Sequence, residues 1–151
     1  MERPASHRLR RGRVSIPGQL YLLTTTVEHR RPIFRDFDLA RLLVAQLRYA
    51  QDKCLARSLA WVVMPDHLHW LVELQQETLE VLMRRMKSRS TCLINRSQQY
   101  RGRLWQQGFH DRALRREDDV QAVARYIVGN PLRAGLVSRI GDYPHWDAIW
   151  L

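Results

Sequence analysis

The stretch WVVMPDHLHWLVEL, Trp61 to Leu74, sets His67 and His69 on either side of Leu68. Alternate residues of a strand share a face, so both imidazoles leave one side while Leu68, Trp70 and Val72 leave the other. Two neutral imidazoles so placed can bind a divalent metal, but two ligands do not complete a site. The same pattern also fits two exposed or hydrogen-bonded histidines, so a third ligand and a reactive group must be sought elsewhere.

The last helical segment offers both. Its apolar stripe is Val120, Val123, Ala124, Ile127 and Val128. At about 100° per residue, Tyr126 and Asn130 fall together on one flank of that stripe. Tyr126 is expected at the margin of the core, its ring held and its hydroxyl accessible, with the Asn130 amide oxygen nearby. The plainer reading is a boundary tyrosine and an asparagine at a helix end. Taken together, a metal on His67, His69 and Asn130 beside a tyrosine hydroxyl would suit phosphoryl transfer to a protein nucleophile. A phenol free in water ionises near pH 10, roughly, so the metal or another group must help remove its proton. No such base is identifiable from the residues. No GxxxxGK[ST] or GxGxxG occurs, and nothing suggests nucleotide hydrolysis.

The elements that would position these groups follow from periodicity. Gln19 to Val27 is apolar, β-branched and free of Gly and Pro, which predicts a strand. A loop with aspartates able to cap a helix leads to Leu39, Leu42, Leu43, Leu47 and Ala50 at helical spacing. Ser58 to Met64 reads as a second strand, Pro65-Asp66 as a turn, and His67 to Leu74 as a third. Leu79, Leu82, Met83, Met86 and Leu93 make the next helical stripe. A short strand is expected around GFHDRALR, then a helix from Glu117–Asp119 to about Gly129. Pro131 should exclude α geometry for Asn130 and end that helix. The order βαββαβ plus a last helix predicts an α+β, ferredoxin-like sandwich: an antiparallel sheet with two helices on one face. The histidines would lie on the other, open face.

The chain has 151 residues, enough for one domain, with 25 Lys+Arg against 15 Asp+Glu and a net charge of +10. Such a field favours a polyanionic partner, nucleic acid first, over an acidic membrane. Cys54 and Cys92 form neither a disulfide framework nor a CxxC site, and are expected as core thiols in a reducing cytoplasm. No stretch approaches a membrane span and no secretory signal is evident. The expected organisation is a basic arm over 1–18, one domain over 19–143 and an aromatic tail over 144–151. The protein is expected in the cytoplasm, associated with the nucleoid.

MPDHLHWLVEL, LWQQGFHDRALR and YIVGNPLRAGLV, in that order and spacing, resemble the REP-associated tyrosine transposases, a branch of the IS200-like single-tyrosine HUH transposases. The resemblance runs from about Gly12 to Tyr143. It implies the ferredoxin-like HUH domain, with the histidine pair on His67 and His69, the nucleophile on Tyr126 and a third metal ligand on Asn130. It further implies Tyr126 attack on single-stranded DNA, giving a 5′-phosphotyrosine link and a free 3′-hydroxyl. The implied substrate is a short imperfect palindrome folded as a hairpin, and the implied cofactor is Mg²⁺ or Mn²⁺. Imidazole ligands suit softer metals than Mg²⁺, so Zn²⁺ or Ni²⁺ binding is also expected. A monomer is favoured over a homodimer.

DNA contacts are expected from Arg8, Arg10, Arg11 and Arg13 of the arm, and from Arg84, Arg85, Lys87 and Arg89 off the second helical stripe. Phe109, His110 and Arg112 on the fourth strand, with Arg115 and Arg116 after it, are the further candidates, for base stacking and for phosphate or guanine contacts. Each could instead be an ordinary strand residue or a solvated cation. Two other functions remain open: a hairpin-binding protein of the same fold with weak catalysis, for DNA or RNA, and a small metal-dependent ribonuclease. The second would need a general base, whereas the visible reactive group is a nucleophile.

Overall fold

The computed structural model describes residues 15–115 and 119–150. The order is β1 (Leu20–Thr26), α1 (Phe37–Asp52), β2 (Ala56–Met64), β3 (His67–Leu74), α2 (Leu79–Ser97), β4 (His110–Ala113), α3 (Val120–Val128), α4 (Asn130–Arg133) and β5 (Trp146–Ala148). The sheet runs β4-β1-β3-β2-β5, and every neighbouring pair is antiparallel. The α+β sandwich expected from the pattern is thus present. The segment expected as an aromatic tail contributes a fifth strand.

Strand alternation divides the core into two layers. Tyr21, Leu23, Trp61, Val63, Leu68, Trp70 and Val72 face α1 and α2, whose Leu39, Leu43, Leu47, Leu79, Leu82, Met83 and Met86 complete the first cluster. Trp70 is fully buried, and its indole N–H donates to Ser58 Oγ at 2.8 Å, so the large ring carries no unsatisfied donor. The helices start where their side chains allow. Asp36 accepts from the N–H groups of Asp38 and Leu39, and Thr78 from that of Val81.

The second face is not bare. Leu59, Ala60, Val62, Met64 and Leu71 meet Ala124, Ile127 and Val128 of α3, with Ala148 of β5. The stripe on α3 requires such cover, because an amphipathic helix leaves water by its apolar side. α3 therefore lies across β2 and β5, and the histidine end of β3 stays at its margin.

Two local expectations are corrected. Asn130 does not escape helical geometry: α3 stops at Val128, and the chain re-enters a short helix at Asn130 with Pro131 in its first turn. Proline is tolerated there because first-turn N–H groups have no intrahelical partner. Cys54 and Cys92 are free and exposed, not core thiols. Cys54 lies beyond the α1 cap in a left-handed turn (φ 57°), and Cys92 sits off the buried stripe of α2.

Candidate active site

His67 and His69 project from β3 on the α3 side, their ring centroids 4.9 Å apart and nearly perpendicular. Each Nδ1 is already engaged. His67 Nδ1 meets Asp66 Oδ1 at 2.6 Å, and His69 Nδ1 meets Thr24 Oγ1 at 2.9 Å. Burial would raise the Asp66 carboxyl, but hydrogen bonds from His67 and Arg30 outweigh it and hold the group below the ordinary carboxylate range. An ionised carboxylate only accepts, so His67 Nδ1 carries the proton in this bond and Nε2 is the ring nitrogen left to ligate. Burial, then the charges of His67 and Arg133, push His69 down to about 4. His69 is neutral at physiological pH, the state in which imidazole ligates.

A second layer supports the pair. Arg30 Nε donates to Asp66 Oδ2 at 3.0 Å, completing a chain Arg30–Asp66–His67. Arg30 and His29 both have left-handed backbone, φ 53° and 58°, in the turn after β1. Such conformations cost about 1–2 kcal/mol per non-glycine residue. Carboxylate-backed histidine is the arrangement that fixes the tautomer and orientation of a metal-ligating ring.

Tyr126 and Asn130 are joined by a residue that sequence reasoning missed. The Arg133 guanidinium lies 3.9 Å over the Tyr126 ring. Its Nη2 donates to the Tyr126 carbonyl and, at 3.3 Å, to Asn130 Oδ1. The same guanidinium is close enough to depress His69. Arg133 thus ties the C-terminal end of α3 to α4. Tyr126 is 66% exposed, so it is not gripped by the core margin as expected. Its ring rests on Arg133 instead.

Among the described residues no group of three or more His, Cys, Asp or Glu could hold a metal. A metal at the histidine pair therefore needs a donor of another type, for which the Asn130 amide oxygen is the candidate. Two imidazoles with their Nδ1 atoms engaged and an amide oxygen are donor types that fit a divalent cation with mixed N/O preference.

The candidate DNA contacts separate. His110 pairs with Thr24, which pairs with His69, so the three side chains form one row on the site face. Arg112, opposite Leu22, lies in the next row of that face. Both are exposed on the edge strand, and Arg115 is exposed just beyond it. Phe109 points the other way and is 7% exposed in the first core cluster, so its ring is committed to packing and offers no face to a base. Lys87 is also corrected: its ammonium donates to the carbonyls of Gln106, at 2.9 Å, and Gly108, and burial with the nearby Arg103 charge pushes it down to about 8. Arg89 bonds Gln46 and lies 3.7 Å over the Tyr49 ring, tying α2 to α1. Arg84 and Arg85 remain exposed, on the helix layer across the sheet from the histidines. Arg8, Arg10, Arg11, Arg13 and Arg116 lie outside the described residues.

A strand-borne HxH pair and a helix-borne tyrosine on one side of an antiparallel ferredoxin-like sheet make up the candidate site. The family model for IS200-like transposases matches residues 17–130, and the chain belongs to that family of DNA-processing enzymes. It is 25% identical over 134 residues to the REP-associated tyrosine transposase of Escherichia coli (strain K12), covering 87% of this chain and 78% of that protein. The fold is similar to that of a REP-associated tyrosine transposase bound to a REP hairpin (TM-score 0.74, 25% identity, 89% of this chain and 79% of that one). A putative transposase from Deinococcus radiodurans R1 shares the fold (TM-score 0.56, 20% identity, 79% of this chain and 95% of that one). Among the described residues no helix is long and apolar enough to cross a membrane.

Proposed function

We propose that this protein cuts and rejoins single-stranded DNA at the foot of a hairpin, with Tyr126 as nucleophile. The observation that supports this reading is the junction of α3 and α4, where Arg133 stacks on Tyr126 and bonds Asn130, on the side of the sheet from which His67 and His69 project. Tyr126 Oη attacks a phosphodiester phosphorus in line. A tyrosine–phosphate bond forms, the P–O3′ bond breaks, and the proton lost by the phenol is balanced by one gained at the 3′-oxygen. The product is a 5′-phosphotyrosine link and a free 3′-hydroxyl. Attack by a second 3′-hydroxyl reverses the step and transfers the strand, so the phosphodiester energy is conserved and no nucleotide is hydrolysed.

His67, His69 and Asn130 would hold a divalent cation, Mg²⁺ or Mn²⁺, whose chemistry is to polarise a phosphate oxygen. Asp66 and Thr24 keep both imidazoles oriented with Nε2 toward that role. The row His69–Thr24–His110, with Arg112 and Arg115 beside it, gives the strand a basic track toward the β4 edge. The relative seen with a REP hairpin supports a DNA hairpin as the substrate. The basic arm around Arg8, Arg10, Arg11 and Arg13 is proposed to follow the hairpin, and the working unit is proposed to be a monomer.

The test is incubation with a single-stranded hairpin oligonucleotide and Mn²⁺ or Mg²⁺. A covalent protein–DNA adduct should form, and it should vanish in Tyr126→Phe and on addition of EDTA. An adduct that survives Tyr126→Phe would reassign the nucleophile. Tight hairpin binding with no adduct would leave a binding protein of the same fold.

A further inference from the structure

In-line attack requires the reacting oxygen to be held near the phosphorus in one geometry. Tyr126 starts badly for that task. The residue is 66% exposed and belongs to neither core cluster, and exposed rotamers exchange rapidly. Among the described residues, the cation stacked on this ring is that of Arg133, 3.9 Å away. The same side chain donates to the Tyr126 carbonyl and to Asn130 Oδ1.

The bond to Asn130 has a chemical consequence. A guanidinium carries donors and no acceptor, so the amide atom that faces it must be the oxygen. That oxygen is also the atom a divalent cation would take, and it has a second lone pair to give. Gly129 belongs to the arrangement too. Its φ of −77° is open to any residue, yet a Cβ there would come within 3.0 Å of Arg133 Nη1. A side chain at this position would oblige the guanidinium to shift by a few tenths of an ångström.

We propose that Arg133 is a positioning residue, which stacks on Tyr126 to aim its hydroxyl and bonds Asn130 to present its amide oxygen. The proposal rests on the tyrosine-nucleophile reading above. Planarity is central to it: lysine would keep the charge and lose both the stack and the fork.

Two measurements test it. The first is the rate of adduct formation at saturating hairpin and metal, with the hairpin Kd measured alongside. Arg133→Lys and Arg133→Ala should both slow the rate by about 10–100-fold, with Kd within about threefold of wild type. A lysine variant close to wild type would show that charge alone matters, and a raised Kd with an unchanged rate would make Arg133 a DNA contact. Either result overturns the proposal. The second is NMR of the metal-free protein with ¹³C-labelled tyrosine rings, the Tyr126 signal being assigned with Tyr126→Phe. That signal should move toward the position and line width of a freely rotating tyrosine in both Arg133 variants, and an unchanged signal would overturn the proposal. If wild-type protein forms no adduct, the nucleophile reading fails, while the NMR result still decides whether Arg133 holds the ring.

Discussion

Asp66 is the residue on which the histidine pair most depends. It is read from the sequence as half of a turn, and the fold gives it a second task by aiming its carboxylate at His67 Nδ1. A carboxylate behind a ligating imidazole both fixes the ring and raises its basicity. Asp66→Ala should therefore weaken Mn²⁺ binding by about 10–100-fold in calorimetry, without changing the far-ultraviolet circular dichroism. Unchanged affinity would mean that packing against His69 suffices to orient His67.

At the level of elements, the basic run on α2 contains side chains with different duties. Lys87 is turned inward to the carbonyls of residues 106 and 108, and so pins the loop that carries Trp105 into β4. Arg84 and Arg85 point to solvent. Removing Lys87 strands two carbonyls and releases the loop, at about 1–3 kcal/mol. Lys87→Ala should lower Tm while leaving the salt dependence of hairpin binding unchanged. If Arg84 and Arg85 touch phosphates, their alanine variants should keep the Tm and reduce the slope of log Kd against log salt by about 0.7 each. A changed slope in the lysine variant would restore it as a DNA contact. The sequence showed the charges but not their direction, because Lys87 and Arg84 differ in which neighbouring element lies within reach.

For the molecule as a whole, closure of the sheet involves its last residues. β5 covers the outer edge of β2, pairing Val62 with Trp146 and Ala60 with Ala148, and Ile149 N–H donates to the Leu59 carbonyl. Tyr143 donates to the Val63 carbonyl from the same side. Without residues 144–151 that edge loses its ladder and exposes apolar β2 to other chains. The truncated protein should melt about 10 °C lower and aggregate on heating. Its adduct rate, measured well below the melt, should stay within about twofold of wild type, because Tyr126, Asn130 and Arg133 keep their mutual contacts. A large loss of rate at full folding would give the C-terminal strand a part in the site.

Periodicity and residue type determined the elements by themselves. A two-residue alternation must become a strand with two faces, and a stripe at helical spacing must find an apolar partner, so the βαββαβ order and the placing of His67 with His69 were legible from local geometry. Tyr126 and Asn130 were legible as near neighbours for the same reason, although the structure divides them between α3 and α4. Parity also held an unused signal: Phe109 and His110 are adjacent on a strand, so both could not face the site. What only the tertiary structure decided are contacts between residues far apart in sequence. Thr24 reaches His69 through strand register, Arg30 reaches Asp66 through a left-handed turn, and Arg133 folds back over Tyr126. Side-chain type fixes what a group can donate or accept, but distance and direction in space decide which partner it meets.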